Sequence, residues 1–216
     1  TTLRLNAGTG FRIVNLFTED HLAYSGARAT ILLEDLAPEQ SLSGTASVQH
    51  IFDFHSNPMT LDLEGFYTYF TNKIEPDYSQ PGKIVYANLD GSSATRGLSL
   101  TLSQSLTAIP MTFTVGATAM DVFVAEGERR YALEFAPDYM GVVNATYRLP
   151  ADWRLDYTMN LTGPMKLPQY DQPFARDPES QRFSIHNLQL TRDITLRSGS
   201  LLQPYAAIEN LTDFTQ

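Results

Sequence analysis

Residues Trp153–Thr162 read Trp-Arg-Leu-Asp-Tyr-Thr-Met-Asn-Leu-Thr, large and apolar at every odd position and polar at every even one. A period of two is the repeat of a β-strand, whose successive side chains leave on opposite faces. Just upstream, Tyr139–Leu149 sets Gly141, Val143, Ala145, Tyr147 and Leu149 against Val142, Asn144, Thr146 and Arg148. Only Pro150, Ala151 and Asp152 separate the two runs, so the pair makes a hairpin. Tyr147 and Trp153 then flank its turn on the apolar face, where a membrane-spanning barrel carries its interfacial aromatics.

The same alternation recurs along the chain. Residues 3–8 form a short first strand. In residues 41–54, Leu42, Gly44, Ala46, Val48, Phe52 and Phe54 oppose Ser41, Ser43, Thr45, Ser47, Gln49 and Asp53. Residues 59–70, 98–103 and 111–119 repeat the pattern, and past Met120 the apolar phase moves to Val122 and Val124. Such a slip reads as a bulge or as a strand continuing beyond the membrane. The final pair, 182–191 and 201–211, alternates less cleanly, with a shift of phase near His186.

Short turns at 55–58, 107–110 and 149–152 alternate strictly with long irregular connections at 10–40, 75–93 and 163–180, the arrangement of outer-membrane barrels. The expected fold is therefore all-β, an antiparallel transmembrane β-barrel made in part by about nine strands. An odd open sheet in lipid leaves backbone groups unsatisfied at both edges. Residues 1–216 are accordingly expected to be a portion of a larger barrel, or to be closed by another chain.

Composition removes other classes. At 43% hydrophobic and 18% charged the chain is ordinary for a folded protein. Its apolar runs fall far short of the roughly 18 to 20 residues of a membrane helix. Barrel strands show lipid only every second side chain, so a mean hydropathy of −0.20 is compatible with one. A net charge of −9 leaves no cationic cluster to displace counterions, which argues against nucleic acid. The absence of cysteine removes disulfides, thiolate nucleophiles and Cys-type zinc sites.

Catalytic motifs are absent: Gly8-Thr9-Gly10 lacks the third glycine of a dinucleotide fingerprint, and no cofactor is implied. Asp62 and Glu64 share a face, and Arg148, Arg154 and Asp156 another; both groups fit carboxylates and ion networks in a watery lumen better than acid/base pairs. The histidines at 21, 50, 55 and 186 have no metal-ligand spacing. The Asn-x-Thr triplets at Asn144, Asn160 and Asn210 fall in expected strands, which gives glycosylation no support.

Three short stretches, in this order, resemble the TonB-dependent outer-membrane receptors. Gly8-Thr9-Gly10-Phe11-Arg12 is similar to the strand end that opens a long external loop in that family, and Leu36-Ala37-Pro38-Glu39-Gln40-Ser41 to the stretch that closes it. Glu209-Asn210-Leu211-Thr212-Asp213-Phe214 resembles the Glu-Asn-Leu-Phe-Asp motif of the penultimate strand, with Thr212 in place of Phe. Tyr86-Ala87-Asn88-Leu89-Asp90-Gly91, followed by Thr95-Arg96-Gly97, is similar to a loop-to-strand junction of the family.

The resemblance implies a barrel of roughly 22 strands with a plugged lumen. This chain would supply the later strands, while the plug, the early strands and the last strand lie outside residues 1–216. It implies energy-coupled import of a scarce nutrient across the outer membrane of a Gram-negative bacterium. The cargo is open: a metal chelate, haem, cobalamin, copper or an oligosaccharide. Implied partners are the rest of the barrel, the plug, the TonB energy-transducing complex, outer-membrane lipid and a surface lipoprotein. Candidate substrate contacts sit in the long connections: His21, Tyr24 and Arg28 in the first, Tyr78 and Tyr86 in the second, and Tyr170 in the third. Loop polar residues also simply face solvent, and loop aromatics also serve as packing. A passive porin and a soluble β-rich binding module are the alternatives.

Overall fold

A computed structural model describes residues 1–13, 29–32, 36–77, 83–169 and 177–215. Every regular element among them is a strand. They are β1 (Thr2–Arg12), β2 (Ala29–Leu32), β3 (Glu39–Phe54), β4 (Asn57–Thr71) and β5 (Ile74–Asp77). Next come β6 (Lys83–Asn88), β7 (Ser92–Leu106), β8 (Met111–Glu126), β9 (Arg129–Ala132) and β10 (Tyr139–Leu149). The rest are β11 (Trp153–Thr162), β12 (Phe183–Arg192), β13 (Ile194–Thr195), β14 (Leu201–Leu202) and β15 (Tyr205–Ile208).

The main sheet runs β1-β3-β4-β7-β8-β10-β11-β12-β15 by antiparallel neighbours, with β9 added beside β8. These nine are the strands that the alternation foretold, in the same order. The sheet does not close: β1 and β15 each pair on one side only, so it is an arc of a barrel.

One row of paired residues crosses eight strands: Phe52, Met59, Gln104, Phe113, Ala145, Tyr157, Leu188 and Ile208. The hairpin ends drop steadily below it. Phe52 stands two residues before Phe54, Ala145 four before Leu149, and Leu188 eight before Leu196, whose N–H meets the Ser200 carbonyl. Strands that lean about 35–45° from a barrel axis need such a stagger to keep their ends level.

The turns are built to match. His55 and Ser56 both have positive φ, 49° and 60°, as a two-residue hairpin loop demands of its central pair. Asn57, buried at 7%, accepts hydrogen bonds from the Thr107 N–H (2.7 Å) and the Thr107 hydroxyl (2.9 Å), tying this turn to the next. Strands β13 and β14 continue the β12–β15 register as the lower end of one hairpin. The Asp193 N–H bonds the Asp152 carbonyl, fastening that extension to the neighbouring turn.

Parity divides the sheet into two faces. Leu5, Ala46, Gly65, Leu98 and Ala119 form one outward row; Leu3, Val48, Leu63, Leu100 and Ala117 form another. Leu5 is 71% exposed and Leu98 61%, so this apolar face is not covered by protein. Leu155, Tyr157 and Met159 belong to it and are half-exposed. A contiguous apolar face of this extent is suited to hydrocarbon, since soluble monomers rarely show apolar patches beyond a few hundred Å². At its lower rim the Arg192 guanidinium lies 5.4 Å from the Trp153 ring, where aromatic and cationic groups meet an interface.

Three features depart from the sequence expectations, and one open alternative is decided. The connections at 10–40 and 75–93 are not wholly irregular: β2, β6 and β5 form a separate three-stranded sheet in which β2 and β6 run parallel, while the barrel sheet is antiparallel throughout, as expected. Continuity of a short parallel pair has no simple signal in an isolated run of four residues. Strands β3, β4, β7 and β8 also extend further than their apolar alternation, to 15 or 16 residues against the roughly 9–11 that cross a bilayer.

Of the two readings of the slip past Met120, the continuing strand is the one found, because β7–β8 pairing is unbroken from Leu106↔Met111 to Ser92↔Ala125. The outer face simply turns polar there: the Asp121 carboxylate accepts from Arg96 Nε at 3.0 Å and from Arg130 at 2.6 Å, and Arg130 covers the Phe123 ring at 3.7 Å. Near His186 the register is likewise continuous. His186 is itself outward, with Nδ1 2.7 Å from the Tyr157 hydroxyl and Nε2 2.9 Å from the Ser184 hydroxyl, so two partners replace water around the ring.

Neighbouring residues on opposite faces give a direct check. Leu100→Arg puts a cation in oil and is expected to cost about 2–4 kcal/mol, whereas Thr101→Arg faces the lumen and is expected to cost under about 1 kcal/mol. Urea unfolding of the intact barrel in lipid vesicles measures both; equal losses would contradict the assignment of faces.

Candidate functional site

The inner wall is polar and largely self-bonded. Along β7 and β8 it carries Ser99, Thr101, Ser103 and Ser105 opposite Thr118, Gly116, Thr114 and Thr112. Hydroxyls pair across the strands at 2.7 Å (Ser99 with Thr118), 2.9 Å (Ser103 with Thr114) and 3.1 Å (Ser105 with Thr112). Above them Phe66 lies over Gly97, its direct partner on β7; a Cβ on Gly97 would stand 2.5 Å from the ring. Glycine at 97 is thus what lets the ring lie flat against the wall.

Charge is confined to two zones on either side. On β1, β3 and β4 a chain runs from Arg4 to the Gln49 oxygen (3.5 Å) and from Gln49 Nε2 to Asp62 (2.9 Å). On β10 and β11 Asp156 accepts from Arg154 Nε at 2.8 Å and from the Thr146 hydroxyl at 2.7 Å. The expected three-member network is narrower than foreseen: Arg148 faces Arg154 directly across the strands and has no side-chain bond to Asp156. Neither Glu64 nor Arg148 has a side-chain partner among the described residues, so both charges are presented to the lumen. A recess of about 460 Å³ in this wall is lined by Asn144, Thr146, Asp156, Thr158, Asn187 and Gln189.

At the opposite end of the strands from the short turns, the small sheet builds a cap. Ile74, Ile84 and Tyr86 pack together with Leu36, the only hydrophobic cluster of buried residues among those described. Its attachment to the barrel runs through Glu39, which is 6% exposed. The Glu39 carboxylate accepts from Arg12 Nε at 2.6 Å and from the Ile74 N–H at 2.8 Å. Asn88 completes the join by accepting from the Ala37 N–H (2.8 Å) and donating to the Ala37 and Asn72 carbonyls (3.0 and 2.7 Å). A cavity of about 430 Å³ beside this joint is lined by Phe11, Arg12, Glu39, Gln40, Phe70 and Lys73.

Of the candidate substrate contacts, only Tyr86 lies among the described residues; His21, Tyr24, Arg28, Tyr78 and Tyr170 fall outside them. Tyr86 sits on β6, 6% exposed, within the cap's apolar cluster. Glu39, Asn88 and Asn210 carry interactions that residue type alone did not single out. Their signal was nonetheless present, since each lies in a stretch that carried the family resemblance. Asn210, at a positive φ of 50°, donates its N–H to Asn187 Oδ1 (3.0 Å) and exchanges two bonds with the Phe214 backbone (2.9 and 3.1 Å). Among the described residues no group of His, Asp and Glu could hold a metal.

An apolar outer face, a polar inner wall and a strand-built cap at one end define an arc of a membrane barrel. Comparison with known proteins narrows this. Residues 1–211 match the family described as TonB dependent receptor-like, beta-barrel. The chain belongs to that family. No curated protein matches it in sequence.

Solved structures share its fold. The copper transporter OprC superposes with a TM-score of 0.67 at 17% identity, over 98% of this chain and 31% of that one. The FrpB iron transporter from Neisseria meningitidis does so at 0.63 and 12%, over 98% and 33%. The ferric enterobactin receptor PfeA from Pseudomonas aeruginosa does so at 0.64 and 17%, over 98% and 32%. The chain spans about a third of the length of each.

Glu39→Ala deletes the acceptor of a buried N–H, a loss of about 1–3 kcal/mol felt at the cap. Protease added to intact cells is expected to cut the cap segments 72–77 and 83–92 faster in the variant than in the parent, while the barrel keeps its heat-modifiable gel mobility. Parallel loss of that mobility would place Glu39 in the barrel's own stability instead.

Proposed function

We propose that this chain is the later part of the barrel of a TonB-dependent receptor in a Gram-negative outer membrane, importing a scarce nutrient by energy coupling. The observation that supports it most is the family match across residues 1–211, on a sheet whose two faces suit oil and water respectively. In this proposal a plug, further strands and a TonB-contacting segment complete the working receptor. The open edges of β1 and β15 would then be paired within the membrane, as hydrocarbon requires.

The outer membrane sustains no useful gradient, so accumulation of cargo needs work delivered from the inner membrane. Metal ions and metal chelates are the first cargo class to test, because the structural relatives are named for copper, iron and ferric enterobactin. The polar connections around the cap would make first contact, with His21, Tyr24, Arg28, Tyr78 and Tyr170 as candidates. Tyr86 would act by holding the cap together.

Cells expressing the receptor in a strain lacking its own metal receptors would be given radiolabelled copper, ferric enterobactin and haem in turn. Uptake of one of them is expected to fall at least tenfold with a proton uncoupler, while binding at the surface persists. Uptake indifferent to the uncoupler would replace the receptor by a passive porin.

A further inference from the structure

The outward face is not evenly filled. Between Leu5 on β1 and Leu98 on β7, the two strands in the middle present only Ala46 and Gly65, and one row nearer the cap Ala7 and Gly44 are as small. The result is a recess of about 670 Å³ in the oil-facing surface, walled by Leu5 and Leu98 and bounded toward the cap by Tyr67 and Arg96. The backbone does not ask for these glycines. Neither has a positive φ, and an added Cβ would stand 3.8 Å from the Asn6 carbonyl oxygen at Gly44 and 3.4 Å from Leu98 Cδ2 at Gly65, contacts that a side chain tolerates. The missing side chains shape the surface rather than permit the fold.

The rim beside the recess carries charge of one sign in excess. Arg96 and Arg130 share the Asp121 carboxylate, at 2.9 and 2.6 Å, and both lie against the Phe123 ring, at 5.7 and 3.7 Å from its centre. About half of each arginine side chain remains exposed. Asp121 is the only carboxylate among the outward positions of β1, β3, β4, β7 and β8, in a chain whose net charge is −9. One positive charge is thus left uncompensated where the apolar surface ends. Planar guanidinium donors match phosphate oxygens, and the edge of hydrocarbon is where a lipid phosphate lies. In lipid the recess gains nothing by expelling water, so what holds an acyl chain in it is van der Waals contact with its walls.

We propose that recess and rim together form a site for one phosphate-bearing lipid of the leaflet nearer the cap, its phosphate on Arg96 and Arg130 and one acyl chain lying over Gly44, Ala46 and Gly65. This rests on the membrane placement proposed above. A free anion would use the guanidiniums alone; the recess is what selects a lipid.

The complete receptor, purified in a non-ionic detergent, would be titrated with diphosphoryl lipid A and with the same lipid stripped of its phosphates, and bound lipid counted by native mass spectrometry. Gel mobility before and after heating shows that each variant is folded. The double variant Arg96→Gln, Arg130→Gln is expected to bind lipid A at least tenfold more weakly than the parent, and so are Gly65→Leu and Ala46→Leu, each of which fills the recess. Arg192→Gln, at the other rim, is expected to leave binding unchanged, and the stripped lipid to bind the parent at least tenfold more weakly. Binding indifferent to both recess variants would overturn the lipid site and leave an anion contact only. Binding indifferent to the arginine pair, or to removal of the phosphates, would overturn it equally. Either result with uncoupler-sensitive uptake intact removes this inference alone, whereas the expected lipid binding beside uptake indifferent to the uncoupler keeps the site and removes the receptor reading.

Discussion

In hydrocarbon, a backbone N–H or carbonyl has no water to fall back on, and each one left alone costs several kcal/mol. That requirement organises the chain. Nine strands pair in unbroken register, and the row from Phe52 to Ile208 crosses eight of them without a bulge. Where the ladder must end, side chains and turn backbones take over: Asn57 serves Thr107, and the Asp152 carbonyl receives the Asp193 N–H. Lean and stagger follow, because neighbours can stay paired around a curve only if each is offset from the last.

With the backbone satisfied, side-chain chemistry is free to differ between faces. Outward positions become leucine, valine, alanine and tyrosine until the strand leaves the oil, and the change at Asp121, Arg96 and Arg130 marks that point on β7 and β8. Inward positions carry hydroxyls and a few ions. The long strands then reach on to carry a cap whose small apolar core sits clear of the belt. The barrel thus holds its hydrophobic packing outside the membrane, and inside it relies on hydrogen bonds and lipid.

The barrel strands were legible in the sequence because alternation is set by burial on one side only. Trp153–Thr162 announces its register outright, and the structure pairs it with Tyr139–Leu149 as expected. The ends were less legible. Glu39, Arg12 and the segment 92–97 continue their strands with polar residues on both faces, where water surrounds the sheet and periodicity fades. His186 looked like a change of phase because a polar residue stood where oil was expected; its hydrogen bond to Tyr157 spans 29 residues of chain and is invisible to a local pattern. The cap was illegible for the same reason, since Glu39 meets Ile74 across 35 residues of chain and Ala37 meets Asn88 across 51. Resemblance to a family located those residues without explaining them.

The uninterrupted row through Phe52, Phe113, Tyr157 and Ile208 has a consequence for how such a chain can change over time. Removing one residue from the middle of a strand would swap oil-facing and water-facing side chains for the remainder of that strand, an error that no single replacement mends. Losing two would preserve the swap-free order and merely shorten the span. Inheritance in this lineage is therefore constrained in odd and even rather than in residue identity, so two descendants can differ at most positions while still lining up strand for strand.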